Sequence, residues 1–497
     1  MDALTKLLQT HGPRRSSRLR ELLCEDGSTP EAARKRLSRA KPPILSYPFS
    51  LLPDREAFFY LKDERGSERY WTNFIDALRE TDTVYAAALD GLAARGGIVA
   101  LEEFPVISGA PSKQQNQVPH SLVLKRLEEA GFLRQMNRAD LGTVVQLEYS
   151  IFGPSDHADH RARQVVERVM LDGVREWARK LGLASWNSIA IRGEDHPRMI
   201  GPYKWDLSGP SYLMPLRSGS AELTGQGFLA ADVFAGETID HNQIRYIVRK
   251  ARALRFTTRV GRVLPMIVAQ GFTPEALTAG RKAGLMMATP ATLFGTHVAR
   301  ALNDLLSVLN RAAETVIGNP DKLASLIEDL SDIEGKAGNL RGILFELMVA
   351  FLVRYDGSSI DMGRRAYDAD RGREAEIDIL RVKGRAEAVA FECKGKAPGG
   401  TVSVDEVDDW LRRIPIFRDY IRAQQTLSEA DLRFELWTSG TFEPDALKKL
   451  EDQKHVRTRT PIDWKDGQAV RDHARGLKES RITKTFDEHF FRHPLNQ

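Results

Sequence analysis

The stretch EIDILRVKGRAEAVAFECKGK, residues 376–396, contains two short apolar runs that each carry charged side chains. Asp378 lies in the first run, and Glu392 and Lys394 lie at the end of the second. Apolar runs of this length, separated by a glycine and charged residues, predict two β-strands. Because side chains alternate along a strand, Glu392 and Lys394 should point to the same face. An acid at the end of the run AVAF is costly without a partner, which favours a functional site.

Pairing of the two strands can bring the carboxylates of Asp378 and Glu392 side by side at one end of a sheet. They would repel each other there unless a cation lay between them. Mg²⁺ suits such a place, because it binds one or two carboxylates, several waters and a substrate phosphate oxygen. A lysine beside the ion can orient the attacking water and offset charge in the transition state. The alternative is an ordinary sheet in which Glu392 and Lys394 form a surface ion pair.

These residues resemble the active-site motif of the PD-(D/E)xK nuclease superfamily. Asp378 matches the strand aspartate, and the ECK triplet that ends at Lys394 matches (D/E)xK. Upstream, GNLRGILFELMV resembles the helix that in many members contributes a further glutamate, here Glu346. Ile377 stands where the motif has proline, a position at which members often vary.

The resemblance covers roughly residues 335–460 and implies a restriction-endonuclease-like α/β domain, which we assign to residues 336–497. It further implies hydrolysis of phosphodiester bonds with Mg²⁺ or Mn²⁺ as cofactor. The metal ligands would be Asp378 and Glu392, and the catalytic residues would be Asp378, Glu392, Lys394 and Glu346. Lys396 is a further candidate for contact with the nucleic acid.

A repeat indicates that the middle of the chain is a second copy of this unit. GFTPEAL (271–277) and TFEPDAL (441–447) each follow an apolar strand, a basic helix and an earlier strand that carries an acid. The alignment places Asp232 opposite Glu392 and Phe234 opposite Lys394, and Asp206 could match the strand aspartate. Without a lysine, residues 151–295 are predicted to form a degenerate nuclease-like domain, with an active variant using another base as the alternative. Residues 296–335 are predicted to be a helical linker.

The first 41 residues are basic, with ten Lys and Arg against five Asp and Glu. SSRLRELLCEDGSTPEAARKRLSRAKPP predicts two helices, the second capped by Ser28 or Thr29 and stopped by two prolines. A strand–turn–strand segment follows, and the whole resembles a winged helix-turn-helix. That resemblance implies that the second helix enters the major groove of DNA. The residues facing DNA would be Arg34, Lys35, Arg36 and Arg39.

The pattern recurs in TVYAAALDGLAARGGIVALEEF, HSLVLKRLEEAGFLRQMN and TVVQLEYSIFG, so residues 1–150 are predicted to be a tandem winged-helix region. Lys125 and Arg126 are the basic residues of the second recognition helix. The alternative is that these modules mediate only protein contacts.

Composition excludes several classes of protein. There is no run of about 18 apolar residues, so no membrane span is predicted, and the N-terminus lacks the apolar core of a signal peptide. Cys24 and Cys393 are too few for a disulfide framework or a zinc finger. No phosphate-binding loop or dinucleotide fingerprint occurs, so no nucleotide cofactor is expected. HADH (157–160) is predicted to cap a helix and face solvent. We expect a cytoplasmic protein.

The sequence thus predicts a multidomain α/β (α+β) protein: tandem winged helices, then two restriction-endonuclease-like domains, the first degenerate, joined by helices. The favoured function is a Mg²⁺-dependent endonuclease acting on double-stranded DNA, and the superfamily resemblance implies restriction or anti-phage defence. A homodimer or a partner defence protein is possible. The alternatives are a DNA-binding regulator or scaffold with a vestigial nuclease fold, and a nuclease acting on RNA or branched DNA.

Overall fold

The protein is a mixed α/β chain in which helices surround several small sheets. The computed structural model describes residues 2–138, 142–153, 157–194, 198–216, 226–236, 238–257, 260–310, 319–331, 338–354, 358–368 and 373–491. Within these ranges no helix is both long enough and apolar enough to cross a membrane.

The chain begins with three helices around a three-stranded antiparallel sheet, which we call the first N-terminal unit. Its elements are α1 (Ala3–His11), β1 (Arg14–Arg15), α2 (Ser16–Glu25), α3 (Pro30–Ser38), β2 (Ile44–Ser46) and β3 (Phe58–Leu61). The strand order is β1-β3-β2. The side chain of Thr29 accepts a hydrogen bond from the backbone N–H of Ala32, and Pro30 opens α3. The two helices and the hairpin predicted for this segment are therefore present.

A second N-terminal unit follows the helix α4 (Glu68–Glu80) and repeats the same order of elements. These are α5 (Val84–Ala94), β4 (Ile98–Ala100), α6 (Phe104–Ile107), α7 (His120–Glu129), β5 (Leu133–Arg138) and β6 (Gly142–Leu147). The strand order β4-β6-β5 again places the last strand in the middle. The predicted recurrence of helices and strands thus agrees with the structure.

Residues after 148 form a five-stranded sheet with flanking helices, which we call the first α/β unit. Its elements are α8 (Tyr149–Phe152), α9 (His157–Lys180), β7 (Ala190–Ile191), β8 (Met199–Ile200), β9 (Tyr203–Lys204), β10 (Leu207–Ser211), β11 (Gly227–Val233), β12 (Thr238–Ile239), α10 (Arg245–Arg255), β13 (Val263–Val268), β14 (Gly271–Phe272), α11 (Pro274–Lys282) and β15 (Met286–Ala288). The order is β7-β10-β11-β13-β15, antiparallel up to β11 and parallel beyond it.

The second α/β unit closes the chain. The elements from residue 290 onward are α12 (Pro290–Phe294), α13 (Thr296–Asn310), α14 (Pro320–Ser331), α15 (Gly338–Arg354), β16 (Ser359–Asp368), β17 (Arg373–Lys383), β18 (Glu387–Lys394), β19 (Thr401–Val402), α16 (Val404–Arg422), β20 (Asp431–Thr438), β21 (Thr441–Phe442), α17 (Pro444–Val456), β22 (Ile462–Lys465), α18 (Gly467–Gly476) and α19 (Ser480–Phe486). A π-helical turn, Asp487–Phe491, follows.

The two α/β units share one topology. The second sheet has the order β16-β17-β18-β20-β22, antiparallel up to β18 and parallel beyond it. Each unit also has one small parallel strand pair at the same point in the order of elements. The pair is β12 with β14 in the first unit and β19 with β21 in the second. The repeat predicted from the GFTPEAL and TFEPDAL motifs therefore agrees with strand order and strand direction.

One hydrophobic core runs through both α/β units. Side chains of α13 and α14, such as Leu305 and Leu323, are buried in the same cluster as Val233 of the first sheet and Phe391 of the second. The segment predicted as a linker, as far as the structure describes it, thus helps to form this core, while residues 311–318 and 332–337 lie outside the described ranges. The two units are packed together, not merely tethered.

Candidate active site

Three elements of the second α/β unit bring the predicted catalytic residues together. Ile379 on β17 pairs with Phe391 on β18, so Asp378 lies beside Glu392 one step further along the strands. The Oδ2 atom of Asp378 accepts a hydrogen bond of 2.7 Å from the backbone N–H of Cys393. β18 is the central strand, antiparallel to β17 and parallel to β20, which explains why its interior is entirely buried.

Glu392 is the most buried acid of this group, with 2 % of its surface exposed. Its Oε1 atom lies 2.9 Å from Nζ of Lys394 and 2.6 Å from Nη2 of Arg413 on α16. Its Oε2 atom is buried and accepts no hydrogen bond from any residue that the structure describes. An unsatisfied buried carboxylate oxygen is costly, so this atom is a candidate ligand for a cation.

Glu346 comes from α15, a helix whose segment ILFELMVAFLV is otherwise apolar. Burial raises the pKa of Glu346, and the neighbouring carboxylates of Asp378, Glu376 and Glu392 raise it further. Burial followed by the charge of Glu392 likewise raises the pKa of Asp378 well above its ordinary value. Each carboxylate therefore makes it harder for the others to ionise, which is the situation that a bound cation relieves.

A glycine allows α15 to approach the strand that carries the triplet. A Cβ atom at Gly395 would lie 2.7 Å from the backbone oxygen of Arg341, in the first turn of α15. Any larger residue would push the helix away from the end of β18. Gly395 is thus part of what places Glu346 near Asp378 and Glu392.

The charges of the site are out of balance. The two salt bridges described at the site, from Lys394 and from Arg413, both go to Glu392, and the further carboxylates of Asp378, Glu346 and Glu376 lie nearby. Carboxylates therefore outnumber these two cations, which fits a divalent cation shared with a substrate phosphate. No group of three or more Asp, Glu, His or Cys side chains within the described ranges has metal-binding geometry. Two carboxylates, Asp378 and Glu392, are enough for Mg²⁺, which keeps waters in its other positions.

The first α/β unit has the same backbone arrangement of two acids. Leu207 pairs with Ala231, so Asp206 lies opposite Asp232. The Oδ2 atom of Asp206 accepts a hydrogen bond of 3.1 Å from the N–H of Val233, as Asp378 does from Cys393. The N–H of Asp206 donates to Oδ1 of Asp232 at 2.9 Å. The predicted correspondence of Asp206 with Asp378 and Asp232 with Glu392 therefore agrees with the geometry.

Protein cations fill the space between these acids. Arg95, at the end of α5 in the second N-terminal unit, donates to both Glu167 and Asp206, and its guanidinium lies 4.5 Å from the ring centre of Phe234. Arg192 donates to Glu167 at 2.6 Å. Because Glu167 lies on α9 as Glu346 lies on α15, the two helices supply a third carboxylate in each unit.

The second acid of the first unit also has a cation of its own. Nζ of Lys250, on α10, lies 2.7 Å from Oδ2 of Asp232, and both residues are fully buried. Burial alone would raise the pKa of Asp206, but Arg192 and Arg95 lower it below its ordinary value. Three cations thus balance these three carboxylates, although Oδ1 of Asp206, like Oε2 of Glu392, accepts no hydrogen bond among the described residues and has Nε of Arg192 at 3.8 Å.

Sequence reasoning missed Arg95, Arg192, Lys250 and Arg413. Lys250 and Arg413 lie on the basic helices of the repeat, so aligning those helices could have suggested them. Arg95 is 111 residues before Asp206, and no spacing rule connects the two. His160 of the HADH segment is buried in a cavity beside Arg95, so the predicted exposure of this histidine is wrong. The histidine packs inward because α9 turns this face toward the acid cluster.

The predicted nucleic-acid contacts are distributed over three places. On α3 and just after it, the side chains of four residues are exposed on one short segment: Arg34, Lys35, Arg36 and Arg39. Lys125 on α7 is exposed and lies 3.8 Å from Glu129. Arg126 instead donates to the hydroxyl of Tyr85 at 2.7 Å, which holds α7 against α5.

Lys396 lies close to the candidate site but has an acidic partner. Its Nζ atom is 2.7 Å and 2.8 Å from the two carboxylate oxygens of Glu406, at the start of α16. Contact with a phosphate would have to compete with this pair. Of the predicted contacts, the α3 group and Lys125 are exposed to solvent.

Comparison with known proteins adds little. No family model matches the chain, and no curated protein matches it. Among solved structures, the chain is similar to the restriction endonuclease FokI at 11% sequence identity, over 86% of this chain and 76% of that chain, with a TM-score of 0.22. A TM-score this low establishes no shared fold, so nothing about function follows from it.

Proposed function

We propose that this chain is a metal-dependent endonuclease that hydrolyses phosphodiester bonds in DNA. The observation that carries the proposal is the Oε2 atom of Glu392, which is buried and accepts no hydrogen bond from the described residues. Glu392 lies beside Asp378 near the end of the central strand of a mixed sheet, and Lys394 lies on the same strand. A carboxylate oxygen in that situation needs a cation, and a lysine next to it suits phosphate chemistry.

In this proposal Asp378 and Glu392 hold a divalent cation, and Glu346 supplies a further carboxylate from α15. When bound, Mg²⁺ would supply positive charge to a phosphate oxygen as negative charge develops there. An ammonium group has three hydrogen-bond donors, and Lys394 uses one on Glu392. The others remain to orient the attacking water and to stabilise charge on the scissile phosphate.

The rest of the chain would bind and orient the DNA. We assign residues 1–150 to a tandem winged-helix region, supported by the repeated order of helix, strand, two helices and hairpin. Residues 151–295 would be a degenerate nuclease-like domain, 296–335 a helical connection and 336–497 the nuclease domain. The exposed basic group on α3 supports duplex DNA as the partner. A role in restriction or anti-phage defence rests on the superfamily resemblance alone.

A specific observation favours a second candidate, a DNA-binding regulator with a vestigial nuclease fold. Oε1 of Glu392 already lies within hydrogen-bond distance of Lys394 and Arg413. If those cations were its functional partners, the site would be a structural ion-pair cluster like the one around Asp206 and Asp232.

Cleavage of supercoiled plasmid in Mg²⁺ and in EDTA separates the two candidates. The wild type should convert the plasmid to nicked or linear DNA only with Mg²⁺, while Asp378→Ala and Lys394→Ala should lose about 100-fold or more in rate. The matched controls are Asp408→Ala and Lys449→Ala, which break a surface ion pair of 3.0 Å in the same unit and should keep full activity. Binding without cleavage in every condition would favour the regulator, and a panel of RNA and branched DNA would reveal another substrate.

A further inference from the structure

Arg413 makes a direct contact with the candidate active site that its sequence position does not reveal. It lies in the middle of α16, and its Nη2 atom is 2.6 Å from Oε1 of Glu392. About a quarter of its side chain, 27 %, is exposed, so the guanidinium lies at the boundary between the buried acid and solvent. The contact is short and charge-assisted, which makes it one of the stronger hydrogen bonds available to a carboxylate.

The first α/β unit contains the same contact made by a different residue. Lys250 on α10 binds Asp232 there, as Arg413 on α16 binds Glu392. In each unit the helix follows the strand that carries the second acid and precedes the next parallel strand. The two units differ at the lysine of the triplet, where the first has Phe234, yet both keep a cation from this helix on the second acid.

The contact determines which oxygen of Glu392 remains free. Lys394 and Arg413 both approach Oε1, and Oε2 is left buried without a partner among the described residues. A carboxylate fixed at one oxygen by two cations cannot rotate freely, so the other oxygen has a defined position. Arg413 also provides a second counter-charge for Glu392, which leaves more of the Lys394 ammonium available to a substrate.

We propose that Arg413 is a positioning residue of this site: it fixes Glu392 so that Oε2 is presented to a divalent cation. The inference rests on the proposed function where it gives Arg413 a place in a reaction. The effect of Arg413 on metal affinity, in contrast, can be measured without any cleavage. Partners of metal ligands orient those ligands, and their loss typically weakens metal binding by about 10- to 100-fold.

Calorimetric titration with Mn²⁺, without DNA, tests the proposal on the full chain. Arg413→Ala should weaken Mn²⁺ binding by about 10- to 100-fold. Arg413→Lys, which introduces the residue type that Lys250 provides in the first unit, should recover most of that loss. If Arg413→Ala does not fold, Arg413→Gln keeps most of the side-chain volume without the charge and should show the same loss.

Two comparisons separate positioning from a general effect on stability. Arg412→Ala removes the neighbouring, exposed arginine, which pairs with Asp409, and should leave Mn²⁺ affinity unchanged. In a Glu392→Gln background, Arg413→Ala should cause no further loss of affinity, because it acts through Glu392. A loss in Arg412→Ala as large as that in Arg413→Ala, or an additive loss in the double variant, would overturn the proposal.

The outcomes also distinguish this proposal from the proposed function. Mn²⁺ binding that depends on Arg413 in a protein that cleaves nothing would support the positioning role and contradict the nuclease. Cleavage and Mn²⁺ binding that are both unchanged in Arg413→Ala would support the nuclease and contradict the positioning role. A wild-type protein that binds no Mn²⁺ would contradict both.

Discussion

Arg95 donates a hydrogen bond to Asp206, from one end of the second N-terminal unit to the sheet of the first α/β unit. Asp206 corresponds in position to Asp378 of the second α/β unit. Each of these aspartates accepts a hydrogen bond from a backbone N–H of the next strand, that of Val233 for Asp206 and that of Cys393 for Asp378. Each copy has a buried carboxylate oxygen that accepts no hydrogen bond among the described residues, Oδ1 of Asp206 and Oε2 of Glu392. In the first copy each acid nevertheless has a protein cation of its own, and Oδ1 of Asp206 lies 3.8 Å from Nε of Arg192, whereas in the second copy both salt bridges go to Oε1 of Glu392. This difference, more than any single motif, indicates which copy would take a metal.

The first prediction concerns the stability provided by Arg95. Arg95→Ala should lower the free energy of unfolding by about 3–5 kcal/mol, because it leaves Arg192 as the one remaining guanidinium beside two buried carboxylates, Glu167 and Asp206. Urea denaturation of the two proteins measures the difference. Arg433→Ala, which breaks an exposed pair with Asp431, is the control and should change stability by less than about 1 kcal/mol. Equal stability of Arg95→Ala and wild type would show that the acids are not held by this arginine.

The second prediction concerns the pH dependence of the metal-free protein. The pKa of Asp378 is raised in the folded state, mainly by burial, so ionising it opposes folding. The free energy of unfolding therefore falls as pH rises above the pKa that Asp378 has in the unfolded state, about 3.9. The fall is at most about 1.4 kcal/mol per pH unit and ends once the pH passes the raised pKa of the folded state. Asp378→Asn should accordingly become more stable than wild type in EDTA, by a margin that grows with pH.

Thermal unfolding in EDTA across the neutral and mildly acidic range measures that margin. Asp408→Asn, at a half-exposed acid on α16, is the control and should change stability far less than Asp378→Asn. A difference between Asp378→Asn and wild type that stays constant or shrinks with rising pH would be inconsistent with a strained carboxylate at this site.

The third prediction concerns stabilisation by Mg²⁺. A ligand that binds only the folded state adds about 2.7 kcal/mol at 100 times its Kd, so Mg²⁺ should raise the melting temperature of the wild type. Asp378→Asn and Glu392→Gln should lose this increase, since each removes a proposed ligand. Asp206→Asn should keep it, because the acids of the first unit already have protein cations. A shift that survives Glu392→Gln and disappears in Asp206→Asn would reverse the assignment of the two units.

The fourth prediction concerns DNA binding by α3. Replacing Arg34, Lys35, Arg36 and Arg39 with alanine should weaken binding to duplex DNA, and the slope of log affinity against log salt should fall by about 0.9 for each lost phosphate contact. Fluorescence anisotropy over a range of salt concentrations measures both. Lys448→Ala with Lys454→Ala, at exposed positions on α17, is the control for removal of positive charge. An unchanged salt slope in the α3 variant would mean that this helix does not contact the backbone.

The sequence predicted those parts of the structure that follow from local pattern. Alternation and turn residues predicted β17 and β18, and strand pairing then placed Asp378 beside Glu392. The repeat of short motifs predicted two units whose strand orders agree. Thr29 and Pro30 marked the start of α3 because capping is a local effect.

The remaining parts depend on contacts between distant segments. Nothing near Arg95 in the chain indicates that its guanidinium is buried against Glu167 on α9, because that depends on how the second N-terminal unit packs on the first α/β unit. The basic face of α16 predicted a solvated helix equally well, so Arg413 was not distinguished from its exposed neighbour Arg412. The packing of α13 and α14 in a core common to both sheets likewise required the whole fold.

The position of a bound metal tests the central claim most directly. Crystals soaked in Mn²⁺ and measured at an X-ray energy with anomalous scattering from manganese would locate the ion. We predict an anomalous peak between the carboxylates of Asp378 and Glu392, with none between Asp206 and Asp232, where Arg95 and Lys250 supply the charge. A peak at the first pair, or no peak at Glu392 under conditions in which the protein cleaves DNA, would contradict this account.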